Sequence, residues 1–554
     1  MSKRNRNRKL LIGIVVVFIV GVMCNFVRND FELAKNLDIY ANLMKQLDES
    51  YVDDINVADL TQTGIDALLN KLDPYTVYYP ESDIEEFKLM TTGQYGGIGS
   101  LILQDGEYVV ISDPYENCPA LKAGLQPGDK IVEIEGKSVK GKNVSDVSTM
   151  LRGQPGTKIK LGIIPYGKTK VEYKDIDRQE IKLPNVSYFG MLNDNIGYIR
   201  LDQFLETASL EIRNAFSKLK EEGMQNLIFD LRGNGGGLLS EAVNIVGFFV
   251  EKGNLVVSTK GKQADKNQLF ATMNPPIDVK IPIVVLVDGT SASASEIVSG
   301  ALQDMHRAVI LGQRTYGKGL VQNVVPLSYN TNLKITVSKY YLPSGRCIQG
   351  VDYSDKDSIG HSTVKLDSLA IAFKTKGGRT VYDYGGVEPD VVETIDPYST
   401  VLLAMFERNM IFNYANEYKV KHATIASAKD FVVTEAIYND FLQFVKKGDL
   451  KYETLTERQL NNLKESVKAD KFSGKVEEVI ASLEKVVADE KLQDLTRYKK
   501  EISELLTLEI VSRYYYQKGR IEASLHIDQD MKKATELIKD SKTYSAILKG
   551  THKQ

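Results

Sequence analysis

Ile283-Val284-Val285-Leu286-Val287-Asp288-Gly289-Thr290-Ser291-Ala292-Ser293-Ala294-Ser295-Glu296-Ile297 changes character at its middle. The five apolar residues, four of them β-branched, read as a strand buried on both faces. After Gly289 come small polar residues, and then Ile297, Val298, Ala301, Leu302 and Met305 keep helical spacing to about residue 305. A strand that delivers the chain into a helix start is the joint from which α/β folds are made. The alternation extends to both sides: strand-like Ile196–Leu201, Asn226–Asp230 and Ala308–Leu311 are separated by helical stretches at about 206–222, 238–251 and 291–305. Residues 185–400 therefore read as an α/β core.

Thr290 or Ser291 can cap the helix that follows the strand, and its first-turn amides are free to hold an anion. A serine at that position lies where a tetrahedral oxyanion can be stabilised. Taken alone, the run is equally a small-residue helix start packed closely on a neighbour. His306 is the nearest base in sequence, but thirteen residues at ~1.5 Å rise put it roughly 20 Å from Ser293. The chain then returns, because the seven strand-like residues Arg307–Gln313 cover about 23 Å at ~3.3 Å each. This brings back the loop Arg314–Gly319, which carries Lys318 between Gly317 and Gly319. Lysine serves as a general base once burial lowers its pKa. A glycine loop at Gly233–Gly237 ends another strand of the same sheet, and ligands of open α/β sheets gather at strand carboxyl ends. Three loops thus converge: one with serine, one with lysine, one with free amides.

Two glycine motifs are decoys. Gly312 to Gly319 nearly spells a phosphate loop, but Gly319 stands where Ser or Thr must hold Mg²⁺, and strand follows where a helix should open. Gly233 to Leu238 lacks the third glycine of the dinucleotide fingerprint.

The flanks differ from the core. Over 30–90, Leu33, Leu37, Tyr40, Met44, Leu47 and Tyr51 mark a helix face, and a second helix over about 57–71 stops before Pro74. Over 91–168, a glycine cluster precedes short β-branched runs at 108–111, 130–134 and 159–164, with a helix at about Val144–Arg152, so this is a small β-rich domain. No proline follows Pro397 and only 4 of the 42 glycines lie beyond residue 400, so 401–554 reads as a helical region, a solvated appendage without catalytic residues. Residues 1–29 carry Lys3, Arg4, Arg6, Arg8 and Lys9 ahead of an apolar run, Leu10–Cys24. That is a signal peptide or a signal anchor. No small-x-small cleavage site follows, so an uncleaved anchor is expected, with its basic flank cytoplasmic and the catalytic part on the extracytoplasmic (periplasmic) side.

Over 554 residues, 43% are hydrophobic and 26% charged, the balance of a soluble multidomain protein. A net charge of −3 gives no basic surplus for nucleic acid. Three Cys and five His, with no His-x-x-x-His, exclude a disulfide framework and leave no zinc-hydrolase motif. Cys118 and Cys347 are expected to be unpaired, and His361, His422, His526 and His552 solvated.

Residues 60–400 resemble the carboxyl-terminal processing peptidases, tail-specific serine proteases of family S41. The resemblance rests on Asp73-Pro74-Tyr75, Tyr95-Gly96-Gly97-Ile98-Gly99, Pro119 to Asp129, Asp230-Leu231-Arg232-Gly233-Asn234-Gly235-Gly236-Gly237, Ser291 to Glu296 and Tyr316-Gly317-Lys318-Gly319, in that order. It implies a crotonase/ClpP-like α/β core with a PDZ domain inserted at 91–168. It further implies Ser293 as nucleophile, Lys318 as base, Gln322 as the residue that orients the lysine, and the amides of Ala294 and Gly236 as the oxyanion hole. Gly96, Gly97, Ile98 and Gly99 would receive the C-terminal tail of a protein or peptide substrate. No metal or organic cofactor is implied, and a homo-oligomer is left open. Two rivals remain: a catalytically silent PDZ-bearing relative that binds peptides or lipophilic ligands, and a crotonase-like acyl-thioester enzyme. The presence of both dyad residues weighs against the first, and the PDZ-like insert with the export signal against the second.

Overall fold

A computed structural model describes residues 31–83, 88–89, 92–192, 195–356, 362–364, 367–383, 385–394, 397–472 and 474–552. The basic and apolar segment 1–29, with Cys24, and His361 lie outside them. Two compact units divide between Tyr78 and Tyr79. In the first, helices over 31–50 and Val57–Leu69 pack where Gly64 meets the Tyr40 hydroxyl; a Cβ there would lie 2.6 Å from it. Asn56 caps the second helix by accepting from the amides of Ala58 and Asp59.

In the second unit, the core is a six-stranded sheet ordered Val186–Met191, Ile196–Leu201, Asn226–Asp230, Ile283–Val287, Val309–Gly312, Val391–Val392. Only the first pair is antiparallel. Every residue of Ile283–Val287 is buried, as a central parallel strand requires. Strand alternation sends Ile283, Val285 and Val287 into one core with the helices Ala208–Glu221, Leu239–Val246 and Ala294–Asp304. Val284 and Leu286 face the other way, into a core shared with Met531, Leu537, Ile538, Tyr544 and Ile547. A second, antiparallel sheet places Leu320–Pro326, Asn332–Tyr341, Leu255–Gly261 and Gln268–Ala271 side by side.

The PDZ-like region is a sheet of Ser100–Asp105, Tyr108–Pro114, Lys130–Ile134, Lys158–Ile164 and Glu172–Asp177 in that order, so Ser100–Asp105 is an edge strand. It packs beside the helix Val144–Leu151.

The expectation that 401–554 is a solvated appendage is corrected. Its helices Gln529–Lys539 and Ser541–Leu548 are a structural layer of the core sheet. The Tyr544 hydroxyl accepts from Ile283 N–H at 2.9 Å and donates to Ile283 O at 3.0 Å. Low proline and abundant Lys and Glu identified helices but not the face they bury. Among the described residues, no helix is long and apolar enough to cross a membrane.

Candidate active site

Ser293 caps the helix Ala294–Asp304 with φ 56° and ψ −111°, a left-handed conformation that a residue with a Cβ rarely adopts. Such a conformation costs about 1–3 kcal/mol and persists where surrounding bonds over-determine it. Here they do. Ser291 Oγ donates to Leu231 O at 2.8 Å, Ser295 Oγ to Asn234 O at 2.9 Å, and Ala292 N–H to Asn234 O at 3.0 Å. The alternate serines thus bind the serine loop to the glycine loop, while Ser293 lines a cleft. Neither Thr290 nor Ser291 caps the helix, contrary to expectation: the Thr290 hydroxyl donates to Asp288 Oδ1 at 2.7 Å, and that of Ser291 is committed to Leu231 O.

The cleft has a volume of about 480 Å³, and Gly236, Ser293, Lys318, Gln322 and Lys334 all line it. What holds the serine loop to the lysine loop is Glu296, which is fully buried. Its Oε2 accepts from Ser293 N–H at 2.7 Å and Lys318 N–H at 2.9 Å; its Oε1 accepts from Thr315 Oγ1 at 2.6 Å and Gly317 N–H at 2.8 Å. Burial pushes its carboxyl above the ordinary carboxylate range, against the pull of those four donors. Gly317 has φ 86°, and a Cβ on it would lie 3.1 Å from the backbones of Gly385 and Gly386, so only glycine fits.

Gly236, at φ 99°, comes so close to the serine that a Cβ would lie 2.8 Å from Ser293 Cβ and 2.9 Å from Ala294 N. Its own N–H is not open, because it donates to Asn234 Oδ1 at 2.8 Å. Ala294 N–H is the first amide of its helix and lacks an intrahelical carbonyl. Gln322 reaches the cleft with its Nε2 donating to Thr336 Oγ1 at 3.1 Å. His306 is no part of the cleft lining; it sits past the far end of the serine helix, packed on Gly377.

In the β-rich region, Gly96 and Gly97 form a short strand opposite Glu180 and Gln179. Ile98 and Gly99 make the turn into the edge strand, with Ile98 O accepting from Ala120 N–H at 2.8 Å and Gly99 at φ 72°. Cys118 and Cys347 are in no disulfide.

Sequence reading did not single out Glu296, although the spacing Ser293-x-x-Glu296 is the capping-box signature that reveals it. Nor did it find Lys334, whose ammonium burial pushes below the usual lysine value. That residue carried no signal beyond a strand position.

The pattern of peptidase family S41 matches residues 195–354, and that of the PDZ domain residues 110–164. A pattern described as a probable PDZ-protease C-terminal helical domain matches 401–538. Over 354 residues the chain is 35% identical to the carboxy-terminal-processing protease of Bartonella bacilliformis, covering 62% of this chain and 81% of that one. The chain belongs to peptidase family S41.

Similarity within the family extends to the carboxy-terminal processing protease CtpA of Bacillus subtilis, 33% identical over 306 residues, 55% of this chain and 65% of that one. Among solved structures, a photosystem II D1 C-terminal processing protease is 27% identical, covering 64% of this chain and 92% of that one, with a TM-score of 0.35. This S41 member is a serine-type peptidase with a PDZ domain and a C-terminal helical region.

Proposed function

We propose that this S41 peptidase cleaves proteins near their C-termini with a Ser293–Lys318 dyad. The observation that carries the reading is the one buried carboxylate, Glu296, on which the Ser293 and Lys318 amides meet at the same oxygen. Two loops tied so closely bring the hydroxyl and the amine to one cleft. Neutral Lys318 Nζ takes the proton of Ser293 Oγ as the oxygen attacks the scissile carbonyl. The oxyanion is received by Ala294 N–H and by Gly236 N–H, which exchanges Asn234 Oδ1 for it. The lysine ammonium then protonates the leaving amine, and water, deprotonated by the same lysine, hydrolyses the acyl-enzyme. Gln322, which lines the same cleft, orients the lysine.

The PDZ domain recruits the tail. An extended C-terminus adds as a strand to the edge Ser100–Asp105 ahead of Gln104, whose carbonyl Asn409 already occupies, and its carboxylate meets the turn that Gly96, Gly97, Ile98 and Gly99 lead into. The basic and apolar N-terminal segment anchors the enzyme with its catalytic part on the periplasmic side.

Cleavage of casein, and of a peptide with a free C-terminus, tests the dyad. Ser293→Ala and Lys318→Ala are expected to lose at least the ~10²–10⁴-fold that removal of a general base costs. Lys334→Ala and His306→Ala keep most of the rate. A lysine base acts only when neutral, so the rate climbs toward alkaline pH, and EDTA leaves it unchanged. An active Lys318→Ala enzyme alongside an inactive Lys334→Ala one would transfer the base to Lys334.

A further inference from the structure

Arg232 belongs to the loop that approaches the nucleophile, four residues before Gly236. Its guanidinium is surrounded by three carboxylates. Asp230, at the end of the strand that leads into this loop, accepts from Nε at 3.0 Å and from one terminal nitrogen at 2.7 Å. The other two come from the far end of the chain: Asp528 Oδ2 lies 2.7 Å from that same nitrogen, and Asp530 Oδ2 2.9 Å from the second. The cluster is largely out of water, with side-chain exposures of 15% for Arg232, 0% for Asp230, 21% for Asp528 and 10% for Asp530. Tyr198 Oη donates to Asp230 Oδ2 at 2.8 Å and closes it from the sheet side.

This arrangement is more than surface charge pairing. The planar fork of an arginine is filled along both edges, which fixes the direction of the group as well as its charge. Asp528 also caps the helix Gln529–Lys539, accepting from Met531 N–H at 3.2 Å, so the carboxylates are held by an element that is itself packed on the sheet. Beyond Arg232, Gly233 N–H is held by Asp288 Oδ2 at 3.0 Å, and the loop then passes directly to Gly236 beside Ser293 and Ala294.

We propose that Asp528 and Asp530 are positioning residues for catalysis: through Arg232, the C-terminal helices set the placement of the glycine loop against Ser293. The proposal rests on the dyad reading above, in which that loop helps receive the oxyanion. It gives the helical region a role in the chemical step that a purely architectural layer would lack.

The test uses the full chain carrying Asp528→Asn and Asp530→Asn together, which removes both charges while Asn keeps the helix cap. On a free-acid peptide substrate, kcat is expected to fall by about tenfold or more, part of the ~10²–10³-fold that loss of an oxyanion donor costs. KM should stay within about twofold. Tyr544→Phe is the comparison: it removes two hydrogen bonds between the same region and the sheet, lowering the melting temperature by about 2–4 °C with kcat nearly unchanged. A double variant with wild-type kcat overturns the proposal, as does a Tyr544→Phe variant that loses kcat equally. If the double variant does not fold, Asp530→Asn alone decides by the same two readings. Unchanged kcat leaves the dyad intact, whereas failure of the dyad reading shows separately as an active Ser293→Ala enzyme.

Discussion

Glu296 brings four donors to two oxygens, and only a carboxylate accepts at both. In Glu296→Gln the new NH₂ faces backbone donors on either side, Ser293 and Lys318 N–H on one and Gly317 N–H on the other, where only the Thr315 hydroxyl can turn to accept, so at least one buried polar group is left unpaired at about 1–3 kcal/mol. The expected outcome is a loss of kcat of about 10²-fold or more, since a displacement of 1 Å at reacting groups costs that much, together with a lower melting temperature. The pH dependence has a definite sign. Burial raises the folded carboxyl above its unfolded value of ~4.3, so the folded protein keeps a proton that the unfolded chain has released. Its ionisation therefore lowers stability as pH rises through that window, and Glu296→Gln removes this dependence. Melting curves from pH 4 to 8 for both proteins check it. Of this site, the serine and the lysine were legible in the sequence, because strand and helix lengths alone return Lys318 to the helix start. The left-handed backbone of Ser293 was not: no glycine marks the position, and the conformation is imposed by bonds from a loop 60 residues away.

At the scale of elements, Ser100–Asp105 is the strand to which a peptide can be added, and the turn at Gly99 precedes it. If this edge reads free tails, amidating a substrate's C-terminus lowers the cleavage rate by raising KM. Equal rates for amidated and free-acid peptides would remove the carboxylate from the recognition scheme. Gly99→Ala adds a second arm. A Cβ there would lie 2.4 Å from Cys118 Cβ at a φ of 72°, so the variant is expected to distort the turn and abolish the difference between the two peptides. The β-rich region was readable in the sequence from its turn glycines and β-branched runs. The second antiparallel sheet of the core was only partly so. Its hairpin at 320–341 carries polar residues on both strands and stays largely half-buried or exposed, so no apolar alternation marks it.

For the whole molecule, the sheet has no face to spare. A chain ending at Ser399 would expose Tyr198, Ile228, Val284, Leu286, Val309 and Leu311, all buried under the C-terminal helices. The expected outcome is insoluble protein, checked by the soluble fraction after expression beside the full chain; a soluble, active truncation would show the layer to be dispensable. Sequence reading missed this because helix composition reports period and polarity, while the partner of a helix is set by long-range packing. The same region also meets the PDZ edge strand, where Asn409 Nδ2 donates to Gln104 O at 2.8 Å.

That Gln529–Lys539 and Ser541–Leu548, far downstream of the dyad, complete a layer of the sheet bears on timing. Ser293 and Lys318 leave the ribosome roughly 200 residues before Asp528 and Asp530 do. During that interval the glycine loop lacks the far half of its clamp, and one face of the sheet is uncovered. Domains fold as cooperative units, so a ribosome-stalled chain that stops short of Gln529 is expected to cleave peptides more slowly than the full chain.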